Sequence, residues 1–99
     1  MKYVPEAEGE LLDAAAFYER EEPNLGLRFL DAVDDAVEII THHPEAGPLV
    51  LLPGLSRAVR QRVVTTFPYI VFYVLEPQPL IVAVAHGRRR PGYWLERLP

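Results

Sequence analysis

An α+β fold, with an N-terminal helix hairpin packed on a small antiparallel β-sheet, follows from three features of the 99-residue sequence. Apolar residues recur at helical spacing up to about residue 42, and at a spacing of two from residue 57 onward. A stretch rich in proline and glycine, from Pro44 to Gly54, separates the two patterns. Helices first and strands afterwards is the order of an α+β domain. The length suits a single domain, residues 1–99, and a hydrophobic content of 49% supplies its core.

Each element has its own signal. Residues 2–5 read as a short first strand, stopped by Pro5. Glu6 to about Glu22 reads as a helix, with Leu11, Ala15 and Tyr18 on one stripe and Leu12 and Ala16 beside them. Its acidic first turn (Glu6, Glu8, Glu10) suits the positive end of the helix dipole. Pro23 ends that helix, and Asn24 is placed to cap a second one running from Leu25 to about His42. Leu30, Val33, Val37 and Ile40 form its apolar stripe; Arg28, Asp31, Asp34, Asp35 and Glu38 form its wet face. The short connection makes the two helices an antiparallel hairpin.

Beyond the loop, Ala58, Arg60, Arg62 and Val64 share one strand face, and Val59, Gln61, Val63 and Thr65 the other. Phe67-Pro68 marks a turn or bulge. Tyr69–Leu75 and Leu80–Ala85 read as central strands, joined by the turn Glu76-Pro77-Gln78-Pro79. Pro91 opens a short helical turn that folds Tyr93, Trp94 and Leu98 back on the core.

Composition narrows the function. No cysteine is present, so disulfides and thiolate metal sites are excluded. Adjacent His42 and His43 at a helix end are poor chelators, and neither a metal nor a cofactor is expected. The N-terminus has no apolar core of a signal peptide, and the most apolar window breaks at Glu76–Pro79, so a cytoplasmic protein without a membrane span is expected. Residues 1–45 carry 12 acids against 3 bases, whereas residues 46–99 carry 7 bases, all arginine, against 2 acids. Arginine binds carboxylate or phosphate through a planar fork, so the second half is a candidate binding face. If the strand bearing Arg60 and Arg62 neighbours the one ending at His86, those two converge with Arg88, Arg89 and Arg90 in one basic patch. His86 sits where a proton could be moved near neutral pH, though a structural role is the simpler reading. Tyr69, Phe72 and Tyr73 read as core and sheet-surface aromatics, and Tyr93-Trp94 as packing against the sheet, with stacking on nucleobases as the alternative. No glycine-rich phosphate loop, serine–histidine–aspartate set or pair of catalytic carboxylates is visible.

The chain resembles the RelE/ParE superfamily of bacterial type II toxins over nearly its whole length. The match is carried by Thr66–Tyr73 (TFPYIVFY), Ile81–Arg89 (IVAVAHGRR), Pro91, Tyr93-Trp94, Pro5-Glu6-Ala7, Leu11–Ala14 and His43–Gly47. Arg90 departs from the acidic residue that more often precedes that proline. The resemblance implies a toxin neutralised by a cognate antitoxin, ParD-like with a ribbon-helix-helix domain or similar. It implies one of two targets: DNA gyrase for ParE-like members, or mRNA on the ribosome for RelE-like endonucleases. A member that only binds its antitoxin is a third reading. In the nuclease alternative the implied catalytic candidates are Arg88, His86 and Tyr69. RelE-like catalytic slots align with Tyr69, Arg88 and Trp94, of which only Arg88 keeps the arginine that the chemistry wants. An indole cannot exchange a proton as a tyrosine can. The acidic isoelectric point, about 5.3, also argues against direct nucleic-acid binding. The ParE-like, non-enzymatic branch is therefore expected, with Arg60, Arg62, Arg88, Arg89 and Arg90 as the face for target or antitoxin.

Overall fold

The computed structural model describes residues 1–99. Its elements are β1 (Lys2–Tyr3), α1 (Pro5–Glu21), α2 (Leu25–His42), β2 (Arg60–Val63), β3 (Tyr69–Val74), β4 (Leu80–His86) and a closing 3₁₀ turn, Leu95–Arg97. The strands form one sheet in the order β1-β4-β3-β2. The expected antiparallel pairing holds for β2–β3 and β3–β4. β1 is the exception: it pairs parallel to β4 through Lys2–Leu80 and Tyr3–Ile81. A helix hairpin intervenes between β1 and the rest, which gives the chain the crossover that parallel pairing needs.

The hairpin is locked by one side chain. Asn24 stands at the start of α2, but it adopts the left-handed conformation (φ 71°) and its side chain makes no cap. Glu19 of α1 does that work instead: its carboxylate accepts hydrogen bonds from the backbone N–H of Asn24 (2.9 Å) and Gly26 (3.0 Å). These are orphan donors at a helix N-terminus, where negative charge is also favoured. Gly26 permits the approach, since a Cβ there would lie 2.5 Å from the Ala15 carbonyl oxygen.

Two apolar clusters lie on opposite faces of the sheet. Ala7, Ala14, Ala15, Phe29, Val33, Ala36 and Ile40 of the helices meet Val71, Tyr73, Ile81 and Val84 on one side. The buried stripe of α1 excludes Leu12 and Ala16, which are exposed, and the stripe of α2 includes Phe29, the residue hidden among its polar neighbours. On the other side Val59, Val74, Val82, Ala83 and Trp94 form a second cluster under the loop residues Val50, Leu52 and Leu55. The register shifts between Phe72–Ala83 and Tyr73–Ile81, which leaves Val82 as a bulged residue. That extra residue lets Val82 and Ala83 both enter the second cluster. β4 is buried on both faces, as its unbroken apolar sequence requires.

The Pro44–Gly54 loop is held along the β2 edge. Leu49 bridges to Arg60, and Val50 N–H donates to the Val59 carbonyl at 2.8 Å. The Tyr73 hydroxyl donates to the Pro44 carbonyl at 2.8 Å, and Gly47 packs against that hydroxyl with no room for a side chain. Gly47→Ala must push against Tyr73 and the Gln61 carbonyl (2.9 Å from a Cβ). It should cost about 2 kcal/mol by overpacking, read as a lower urea midpoint. An unchanged midpoint would show that the loop shifts freely.

Candidate functional site: a basic cleft beside the last strand

The site begins where β4 leaves the sheet. Gly87 N–H donates to the Pro68 carbonyl (2.8 Å), Arg89 N–H to His86 (3.0 Å) and Tyr93 N–H to Arg90 (3.2 Å). Gly92, at φ 77°, turns the chain back. This tight path throws Arg88, Arg89 and Arg90 into solvent and drives Trp94 inward. The indole is 1% exposed and its ring lies 4.9 Å from that of Phe72. Between this turn and the Val50–Leu52 loop lies a cleft of about 270 Å³ on the sheet face away from the helices. Gln61, Ile70, Phe72 and Ala85 supply its floor, Leu51 and Leu52 one wall, and Arg89 and Arg90 the opposite rim. No acidic residue lines it. Leu51 at its mouth is 89% exposed, and Val63 further along the same sheet face is 68% exposed. Large exposed apolar side chains beside free arginines are what a docking surface presents.

The turn is fastened to α1 by a charged clasp that the sequence did not reveal. β1 covers only the first two residues of β4, so the edge beyond Ile81 is open. Glu10 and Arg97 close it. The Glu10 carboxylate accepts from Val84 N–H (3.1 Å), the Tyr93 hydroxyl (2.5 Å) and the Arg97 guanidinium (2.8 and 3.1 Å). Arg97 also donates to the Val82 carbonyl at 3.1 Å. Both charged side chains are mostly buried, 17% and 16% exposed. Burial, then the hydrogen bond and charge of Glu10, pushes the Tyr93 phenol well above its ordinary range. Its proton is committed to Glu10. In the sequence Glu10 counts as dipole complement and Arg97 as one basic residue among seven; nothing local pairs residues 87 positions apart.

The structure divides the five arginines. β3 lies between β2 and β4, so the adjacency that would have joined them is not there. Arg60 sits at the far end of β2, opposite Tyr73, where its guanidinium donates to the carbonyls of Glu45 (2.9 Å) and Gly47 (2.8 Å). It holds the loop. Arg62 pairs with Val71 and shares the helix-facing side of the sheet, away from the cleft. Arg88, Arg89 and Arg90 remain together on the turn.

His86 and Tyr69 are paired across strands, their rings 5.3 Å apart, on the helix-facing side. His86 Nδ1 accepts from Arg88 N–H at 3.0 Å, which places the proton of the neutral ring on Nε2. Tyr69 packs edge-on against Tyr18 and Phe29, and burial, with Tyr18 and Glu10 nearby, raises its phenol. A second hollow of about 240 Å³ lies there, bordered by Asp13, Phe17, Tyr69, His86 and Arg89. Arg89 thus stands on the crest between the two hollows.

Two helices on one face of a small mixed sheet, with an arginine-rimmed cleft on the other, define a RelE/ParE-like domain. The family model described as ParE toxin of type II toxin-antitoxin system, parDE, matches residues 1–91, and the chain belongs to that family. It is also similar to the Putative toxin Y4kP of Sinorhizobium fredii (strain NBRC 101917 / NGR234). The two are 24% identical over 78 residues, covering 79% of this chain and 77% of that protein. The chain is therefore a toxin of a type II toxin-antitoxin system. No helix is long and apolar enough to cross a membrane.

Proposed function

We propose that this toxin acts on DNA gyrase without cutting RNA, and that a cognate antitoxin neutralises it by covering the basic cleft. The observation that carries the first part is the state of the groups an RNA-cleaving centre would need. Backbone cleavage requires a base for the 2′-OH, donors for the phosphorane charge and an acid for the leaving oxygen. Trp94 is buried and has no exchangeable acid. The Tyr93 hydroxyl is bound to Glu10, and Tyr69 faces the aromatic core under the helices. His86 pairs with Tyr69 and borders both hollows, with one ring nitrogen occupied by a backbone donor. Of the three aligned catalytic slots only Arg88 keeps an exposed side chain, and a guanidinium supplies neither the base nor the acid. Gyrase comes from family membership, and the antitoxin from the exposed leucine, valine and arginine residues around the cleft.

Two assays separate the branches. Purified toxin should inhibit supercoiling by gyrase, and primer extension after induction should show no new mRNA ends. Arg88→Ala with Arg89→Ala should weaken inhibition or antitoxin binding at least tenfold while leaving Tm nearly unchanged, since exposed arginines contribute little to folding. Discrete cuts within codons, abolished by Arg88→Ala, would assign the protein to the nuclease branch instead.

A further inference from the structure

We infer that Arg89, pre-set by stacking on Tyr93, is the anchor that grips a carboxylate of an acidic, leucine-bearing peptide segment laid in the cleft. The inference rests on reading the cleft as a partner-binding face and names the contact that makes it selective. Its basis is a chain of fixed contacts. The Arg89 guanidinium lies 3.9 Å from the centre of the Tyr93 ring. The Tyr93 hydroxyl is held by Glu10, which is held in turn by Val84 N–H and by Arg97. Arg97 flanks the same ring at 5.1 Å. Arg88 and Arg90, by contrast, make no side-chain hydrogen bond or stacking contact. An arginine on a flexible stem loses rotamer freedom when it binds, and a guanidinium already stacked on a ring has lost part of it beforehand. Stacking occupies one face of the guanidinium and leaves its edge N–H groups free for a planar, two-pronged partner.

Charge and shape select the occupant. The cleft wall carries arginine and no acid, with Leu51, Leu52, Ile70 and Phe72 beside it. The remainder of the molecule is acidic: 12 of its 14 carboxylates precede residue 46. A polyanion as long as a nucleic acid would run into that charge, whereas a short segment alternating glutamate with leucine needs only the cleft. The arginine edge takes the carboxylate and the apolar floor takes the leucines.

The test uses the full chain and a labelled synthetic peptide of alternating glutamate and leucine, followed by fluorescence anisotropy. Arg89→Ala should weaken binding at least tenfold, and Arg88→Ala or Arg90→Ala less than threefold. Tyr93→Leu should weaken it about as much as Arg89→Ala, and adding Tyr93→Leu to Arg89→Ala should cost nothing more. Tyr93→Phe, which keeps the ring, should retain most of the affinity. In the unsubstituted protein the Arg89 side-chain protons should show upfield ring-current shifts by NMR, a readout that survives if Tyr93→Leu does not fold. Absence of those shifts, or Tyr93 and Arg89 effects that simply add, would overturn the positioning by Tyr93. Equal losses at all three arginines would overturn the choice of Arg89. No effect of any arginine on peptide binding, or tighter binding of oligouridylate than of the peptide, would instead remove the reading of the cleft on which the inference rests.

Discussion

Glu10→Ala is expected to lower stability by about 3 kcal/mol, because it removes the acceptor that serves charged and neutral donors in a mostly desolvated place. Val84 N–H and the Tyr93 hydroxyl lose their partner, and the Arg97 guanidinium is left with only the Val82 carbonyl. For a domain of this size the fall in Tm should be roughly 15 °C. Arg97→Ala should cost less, because a Glu10 carboxylate left behind still accepts from Val84 and Tyr93. The double variant Glu10→Ala/Arg97→Ala should be less damaged than the sum of the two, since removing both charges leaves no unpaired ion. Urea denaturation of the four proteins measures the coupling. Strict additivity, or a Glu10→Ala loss below about 1 kcal/mol, would mean that water replaces the clasp at little cost.

The second large effect is expected at Trp94. Trp94→Ala should cost about 3–4 kcal/mol, the usual range for emptying an aromatic site in a core. The indole is among the largest fully buried side chains and anchors the cluster of Val59, Val74, Val82 and Ala83. Function should nonetheless fall only in proportion to the unfolded fraction, because the ring is covered and has no free group to offer a target. Trp94→Phe should recover much of the stability by filling part of the space. A Trp94→Ala variant that stays folded, with an unchanged urea midpoint, yet loses toxicity would give the indole a direct role in the site.

Much of this fold was legible in the sequence because local chemistry sets it. Pro5, Pro23 and the helical spacing from Leu25 bound the two helices to within a residue. The alternation from Ala58 to Val64 gave the two faces of β2, and the double-sided apolar run from Leu80 gave the burial of β4. Long-range choices were not legible. Nothing in Lys2-Tyr3 announces that it pairs parallel to a strand nearly 80 residues away. The helix-start position of Asn24 was readable, but its cap comes from Glu19, whose reach depends on the hairpin closing first. At the site, the turn that gathers Arg88, Arg89 and Arg90 was visible, since strand, glycine and proline lie side by side. The dispersal of Arg60 and Arg62 was not, because it depends on β3 taking the middle place. Alternation alone says which face a residue occupies and not which strand lies next to it.

The strand order has a consequence in time. β4 follows the other three strands in the sequence yet lies between β1 and β3 in the sheet. While the chain is being made, the helix hairpin can close on itself from neighbouring segments, but β1 has nothing to lie against and β3 lacks one of its two partners. The clasp and the arginine rim of the cleft also wait, because Arg89, Arg90, Trp94 and Arg97 come later still. Domains fold as units once their non-local partners are present. The cleft is therefore completed only when the segment from Arg89 to Arg97 has joined the sheet, although its floor and its Leu51-Leu52 wall are made earlier.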